Sequence, residues 1–225
     1  MKKIFKLISY FLLALLGVII IGRITNSFQY YKSPTIANEP TFQVNTSMLG
    51  SKLINPKRLD FIWFMGETPF GRNLNLYRLC GHEGDTIEVR NGNLFVNSKD
   101  IDLELKLSHN YLVSNRELEN IKSLKAIDLS FVRIINNDTV SIPLPDEFVK
   151  ENNISAIRLV YPSSFKDTLI SSKYNKPWNL DNFGPIVVPQ NNYFVLGDNR
   201  HNAQDSRYKG FIAKADFSST IFWRE

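Results

Sequence analysis

The most apolar stretch of the chain lies close to its N-terminus. Residues 7–22 are apolar except for Ser9 and Tyr10, and with their apolar neighbours they approach the roughly 20 residues that cross a bilayer. A cleaved signal peptide would end in a small-x-small site, and residues 22–27 do not contain an Ala-x-Ala pattern. The pattern therefore favours an uncleaved transmembrane helix over a cleaved leader.

The charges beside this run predict its orientation. Three lysines stand within the first six residues, and one arginine, Arg23, follows the run. Basic residues stay on the cytoplasmic side. We therefore expect a single-pass membrane protein with its N-terminus in the cytoplasm and its main domain outside.

Beyond residue 40 the apolar residues mostly follow the two-residue period of β-strands. Strands are predicted at residues 42–44, 59–65, 74–80, 86–90, 93–97, 185–188, 193–196 and 220–223. The pair Asn91-Gly92 separates two alternating runs and predicts a type I′ hairpin. A second hairpin is predicted within residues 131–142. Helix is scarce: Ser114 and Glu117 have capping-box spacing at the start of residues 114–125, and residues 145–151 form a second candidate.

These elements predict a mostly β protein. We expect its core to be an antiparallel sheet or partly open barrel with an inserted second lobe, on one N-terminal transmembrane helix. The expected division is a cytoplasmic stub and anchor (1–23), a tether (24–40), a first part of the core (41–101), the inserted lobe (102–184) and a second part of the core (185–225). The lobe is assigned from its Lys-, Ser- and Asn-rich, turn-broken composition.

Composition excludes several classes of function. The 225-residue chain has a formal charge of +5, but most of this excess lies in the first 23 residues, so no nucleic-acid partner is expected. One cysteine and three histidines argue against a disulfide framework or a multi-cysteine zinc site. No metal or organic cofactor is expected.

Three polar stretches interrupt the β pattern, at residues 45–51, 77–87 and 197–210. The third contains Gly197-Asp198-Asn199-Arg200 and Asp205-Ser206-Arg207-Tyr208-Lys209-Gly210. This long polar string resembles the third box of type I signal peptidases, which are membrane-anchored serine endopeptidases that remove leader peptides from exported proteins. The hairpin at residues 84–96 resembles their middle box, and Ser47-Met48 resembles their nucleophile box, Ser-Met-x-Pro-Thr.

The resemblance implies a role for each matching residue. Ser47 is the expected nucleophile, and its backbone N–H together with the side chain of Asn45 would bind the oxyanion. The family usually has serine or threonine at the position of Asn45. Its general base is a lysine in an apolar pocket, and that position is Tyr77 here. A family serine that bonds this lysine is replaced by Ala203, and the usual Pro-Thr is Gly50-Ser51.

Three interpretations of Ser47 follow. It is a nucleophile served by a substitute base (His82, His201, Lys52 or a deprotonated Tyr77); or the protein is a non-catalytic relative that binds exported chains; or Ser47 is only a strand-end serine. The residues expected to support the site are Arg78, Asp198, Asn199, Arg200, Asp205, Ser206 and Arg207.

The resemblance also implies the partners. A preprotein signal peptide would bind extended, adding a strand beside residues 42–45, and the lipid bilayer of a bacterial-type cytoplasmic membrane would hold the anchor. The aromatic residues 61–65 and Phe70 exceed what one strand face buries. They are either a strand buried on both faces or an aromatic lip that enters the bilayer.

Overall fold

The computed structural model describes residues 2–24, 27–68, 71–124 and 129–225. The helices are α1 (Lys2–Ile24), α2 (Asn115–Ser123), α3 (Asp146–Glu151), α4 (Thr168–Tyr174) and α5 (Ser206–Lys209). The strands are β1 (Phe28–Lys32), β2 (Ser47–Ser51), β3 (Phe61–Thr68), β4 (Gly71–His82), β5 (Thr86–Arg90), β6 (Asn93–Val96), β7 (Lys99–Asp100), β8 (Ser108–Ser114), β9 (Arg133–Ile134), β10 (Thr139–Pro145), β11 (Ala156–Arg158), β12 (Phe183–Val187), β13 (Asn192–Leu196), β14 (Ile212–Ala213) and β15 (Phe217–Arg224).

The strands form three antiparallel sheets. Seven strands make the largest sheet, in the order β1-β2-β15-β3-β4-β13-β14. A second sheet has the order β11-β8-β10-β9, and a third has the order β12-β5-β6-β7. The prediction of a mostly antiparallel β protein behind an N-terminal apolar helix is confirmed. Within α1, residues 3–22 are long and apolar enough to cross a membrane.

Locally encoded elements form where the sequence predicts them. In the β5–β6 hairpin, Asn91 and Gly92 have φ values of 49° and 80°, as a type I′ turn requires. The Ser114 hydroxyl accepts a hydrogen bond from the backbone N–H of Glu117 and caps α2. Residue 125, the predicted end of this helix, lies outside the described residues. In the second predicted hairpin, β9 pairs with β10.

The predicted strand at residues 42–44 is wrong. Phe42 donates its backbone N–H to Asn38 O and Thr46 donates to Gln43 O, so the segment is folded into turns. Asn45 has a φ of 69°, in the left-handed region that Asn tolerates better than most residues. The strand begins only at Ser47.

The burial of the aromatic residues decides between the two interpretations of the stretch at residues 61–65. Residues 61–64 are at most 6% exposed. This part of β3 is therefore buried on both faces, and these residues are not a membrane lip. Phe70 lies outside the described residues.

Part of the predicted tether is regular structure, since β1 pairs with β2 and residues 36–38 form a 3₁₀ turn. The second sheet lies within residues 102–184, but β12 begins before residue 185. The division into core and lobe stays a prediction.

Polar contacts join the second sheet to the rest of the protein. His109 on β8 is 1% exposed. Its Nε2 accepts a hydrogen bond from Arg158 at 2.8 Å, and its Nδ1–H donates to Asp146 at 2.8 Å. Arg158 also donates to Gly92 O in the β5–β6 turn. Burial and the nearby arginines 158 and 200 lower the pKa of His109 to about 4, against the opposing effect of Asp146.

This histidine makes stability depend on pH. An unfolded histidine has a pKa near 6.5, so between about pH 6.5 and 4 the unfolded chain binds more protons than the folded chain. The free energy of unfolding should therefore fall by about 3 kcal/mol as pH drops through this window, and it should be fully restored above it. Denaturant unfolding of the full chain in detergent, measured at several pH values, tests this.

The matched variant is His109→Gln, which removes the titrating group. Most of the slope between about pH 6.5 and 5 should disappear, and His82, whose pKa burial also lowers, contributes to the remainder. Below about pH 5 carboxylates such as Asp85 and Asp181 add to it, because, against the effect of burial, their hydrogen-bond partners lower their pKa values. An unchanged slope in this variant would contradict the assignment.

Candidate functional site

Tyr77 lies at the centre of a buried apolar cluster. We define the Tyr77 cluster by the residues Ala37, Ile62, Phe64, Tyr77, Leu79, Tyr193, Val195, Ala203 and Ile212. It brings together the 3₁₀ turn of residues 36–38, strands β3, β4 and β13, and the loop that follows β13. These elements come from distant parts of the chain. The resemblance predicts that the family's base and its hydrogen-bonding serine meet at the positions of Tyr77 and Ala203, and the fold places these two residues together.

The chemistry of the cluster is unsuited to proton abstraction. The Tyr77 hydroxyl donates to the backbone carbonyl of Gln204 at 3.2 Å. Burial raises the pKa of Tyr77 well above its usual range, and the nearby Asp205 raises it further. The phenol is therefore protonated at neutral pH, and its proton is already donated.

Ser47 is not in this cluster. Across neighbouring strands of the sheet, Tyr77 lies opposite Ile62, Ile62 lies opposite Thr220, and Thr220 lies opposite Ser51. Ser47 is four residues further along β2. At ordinary strand spacing the two residues are about 14 Å apart across the sheet and about 13 Å apart along it. The fold therefore does not bring Ser47, the expected nucleophile, together with Tyr77, the residue at the expected base position.

The surroundings of Ser47 also differ from those of an activated serine. Its Oγ is 2.8 Å from the Tyr30 hydroxyl, and this partner is not a lysine or histidine nitrogen. Strand β2 is paired with β1 on one side and β15 on the other, so a peptide cannot add a strand beside Ser47. Asn45, the expected oxyanion donor, stands in the preceding turn.

The candidate substitute bases are elsewhere. His201 accepts from the N–H of Asn110 and contacts Asp181 at 3.2 Å. The His82 ring packs edge-on against Tyr193, and burial lowers its pKa. Lys52 is exposed. Within the described part of the chain, no hydrogen bond joins any of these three side chains to Ser47.

The structure points to a different segment as the nucleophile box. Residues 37–41 read Ala-Asn-Glu-Pro-Thr, which keeps the Pro-Thr of the family pattern and puts Ala37 at the position of its serine. Two residues earlier stands Thr35, and threonine is one of the usual residues at the oxyanion position. The Thr35 Oγ1 accepts from the N–H of Ala37 at 3.3 Å. Sequence reasoning missed this match because it looked for a serine; Pro40-Thr41 was the available signal.

Close packing at Gly197 joins this segment to the third box. A Cβ atom placed on Gly197 would lie 2.4 Å from Ala37 O and 2.4 Å from the Cβ of Ala203. Asn199 donates its N–H to the same Ala37 carbonyl at 3.0 Å. Ala37, Tyr77 and Ala203 thus converge in one cluster.

The predicted supporting residues surround the cluster with buried ion pairs. Arg78 contacts Asp198 through Nε at 2.7 Å and through Nη2, and Asp198 also accepts from Thr41. Arg207 makes two contacts with Asp205, at 2.9 and 2.7 Å. The remaining members are Arg200, which pairs with Asp102; Ser206, whose Oγ accepts from Val195 N; and Asn199, described above.

Among the described residues, no group of three or more His, Cys, Asp or Glu side chains is arranged to hold a metal.

One edge of β4 is open beside the cluster. Strand β3 pairs with β4 along residues 71–78, but β13 pairs on the other side only along residues 78–82. No described strand covers residues 71–77 on that side. The Leu76 carbonyl points outward, because it accepts from the side chain of Asn38 at 2.7 Å. Alternate residues of an antiparallel strand direct their backbone groups to the same side, so Leu74 and Arg72 also present theirs outward.

Comparison with known proteins identifies the family. The profile of the family described as "Signal peptidase, peptidase S26" matches residues 4–224. The chain therefore belongs to the signal peptidase family, peptidase S26. That family supports the class of serine endopeptidase, and with α1 it supports a membrane anchor.

Individual proteins that this chain resembles are named signal peptidase I. A signal peptidase I of Aquifex aeolicus (strain VF5) is 26% identical over 199 residues, which are 86% of this chain and 74% of that protein. A signal peptidase I of Buchnera aphidicola is 30% identical over 178 residues, or 74% of this chain and 54% of that protein. A crystal structure of a signal peptidase I from Enterococcus faecalis V583 aligns with 21% identity and a TM-score of 0.36, covering 75% of this chain and 98% of that chain. The chain thus spans between about half and three quarters of the length of the two relatives compared by sequence.

Proposed function

We propose that this protein is a non-cleaving member of the signal peptidase family, which binds exported polypeptides in extended form. The observation that carries the proposal is the Tyr77 cluster, where Ala37, Tyr77 and Ala203 occupy the positions of nucleophile, base and orienting serine. An alanine methyl group cannot attack a carbonyl, and a neutral buried phenol cannot take a proton from a hydroxyl. The relatives' name supports exported preproteins as the ligands.

The binding half of the proposal rests on the open edge of β4. An extended peptide can add a strand to an unpaired edge through main-chain hydrogen bonds. The outward backbone groups of Arg72 and Leu74 are placed for this, directly beside the cluster. The peptide therefore lies along β4, not along β2. The orientation of the anchor is part of the same proposal: the N-terminus lies in the cytoplasm and the domain outside.

A binding assay on the full chain in detergent tests this function. A fluorescent peptide taken from the cleavage region of a preprotein should bind, and mass spectrometry should recover it uncut after long incubation. Leu74→Pro removes one outward N–H and should weaken binding about tenfold or more. Leu74→Ala, which keeps that N–H, is the matched control.

Two results would contradict the proposal. Cleavage by the natural chain that is lost in Ser47→Ala would restore the serine peptidase interpretation. Absence of peptide binding to a correctly folded chain would remove the binding role.

A further inference from the structure

A hollow of about 350 Å³ lies at the open end of β4. Its lining includes Met65, Glu67 and Arg72 on the β3–β4 hairpin, and Lys209, Ile212 and Asp216 from the segment that follows the third box. This segment lies on the face of β4 that carries the side chains of Tyr77 and Asn75, since the Gln204 carbonyl accepts a hydrogen bond from the Tyr77 hydroxyl and Lys209 Nζ donates to Asn75 Oδ1 at 3.0 Å. A strand added at the open edge of β4 would therefore have Lys209 on this same face.

The charges of the hollow are unequally paired. Arg72 forms ion pairs with Asp216 and with Glu67. Lys209 is only half exposed, and its one described partner is the neutral amide of Asn75; within the described residues, no carboxylate forms an ion pair with it. Burial lowers the pKa of Lys209, and the charge of the nearby Asp205 opposes this shift without forming an ion pair. A partly desolvated ammonium group that lacks an ion-paired carboxylate favours an anionic ligand.

We infer that Lys209 selects polypeptides with an aspartate or glutamate at one position of the strand bound along β4. The inference rests on the proposed function and names a feature of the ligand for that site. The position follows from strand geometry: a residue directly opposite Asn75 projects its side chain to the same face as Asn75. That is the face from which Lys209 approaches. An acidic side chain there would accept from the ammonium group and supply the missing counter-charge.

Matched peptides test the inference on the full chain. Two fluorescent synthetic peptides, rich in alanine and identical except for one glutamate or glutamine, are compared at low and high salt. The natural chain should bind the glutamate peptide about tenfold more tightly at low salt, and salt should reduce the difference. Moving the glutamate one residue along the peptide should weaken its effect, because neighbouring side chains of a strand point to opposite faces.

Variants of the protein complete the experiment. Lys209→Gln should abolish the preference while keeping affinity for the glutamine peptide, and Lys209→Glu should transfer the preference to a lysine-containing peptide. Lys214→Gln is the matched control, because Lys214 pairs with Glu83 and does not line the hollow. Equal binding of both peptides by natural chain and variants would overturn the inference and leave the binding function intact. Failure of every peptide to bind would overturn both.

Discussion

A variant carrying Ala37→Ser, Tyr77→Lys and Ala203→Ser together is expected to cleave a preprotein peptide that the natural chain leaves intact. The three side chains already converge. The new hydroxyl at position 37 would lie beside an amine whose pKa is lowered by the surrounding apolar residues. The hydroxyl at position 203 would orient that amine. Because a positioned base alone contributes about 10²- to 10⁴-fold, cleavage should exceed the background at least a hundredfold.

The incomplete variants are the controls for this gain. Ala37→Ser without the base and Tyr77→Lys without the nucleophile should both stay near background, because the two groups act as a unit. Adding Ser47→Ala to the triple variant should leave its activity unchanged. Cleavage that disappears with this last change would show that position 47, not position 37, supplies the nucleophile.

The candidate site shows which parts of the structure the sequence could predict. The Asn91-Gly92 turn and the Ser114 cap depend on interactions between residues at most a few positions apart, and both form as predicted. Ser47-Met48 resembles the nucleophile box locally. The counterpart that we propose depends on the packing of the turn at Ala37 against Gly197, which are 160 residues apart in sequence. Local residue patterns do not specify such long-range packing.

The three positions of the cluster were only partly predictable. Tyr77 and Ala203 could be aligned through the distinctive boxes around them, so the loss of the base was visible in the sequence. The proposed loss of the nucleophile was not visible, because alanine is not a residue type that signals a catalytic position. Lys209 lies within the third box, but its position beside the β4 edge depends on how the loop after β13 packs on the sheet.

The buried ion pairs of the third box have a purely structural consequence that can be measured without any ligand. Arg207 is 1% exposed, and besides Asp205 it donates to Leu180 O at 3.1 Å and to Arg200 O at 2.6 Å. Arg207→Met removes the positive charge and leaves the Asp205 carboxylate buried with only backbone donors. Breaking a buried pair in this way costs about 3–5 kcal/mol, so denaturant unfolding should show a loss of this size.

Two comparison variants separate this effect from a general loss of charge. Arg72→Met breaks pairs at the surface, where Arg72 is about half exposed, and should cost less than about 1 kcal/mol. The double variant Asp205→Asn, Arg207→Met should be less destabilised than the sum of its two single variants, because the second change removes the uncompensated charge. If the two losses were strictly additive, the pair would not act as a unit, and the ordering of the loop beside Tyr77 would have to come from its backbone contacts alone.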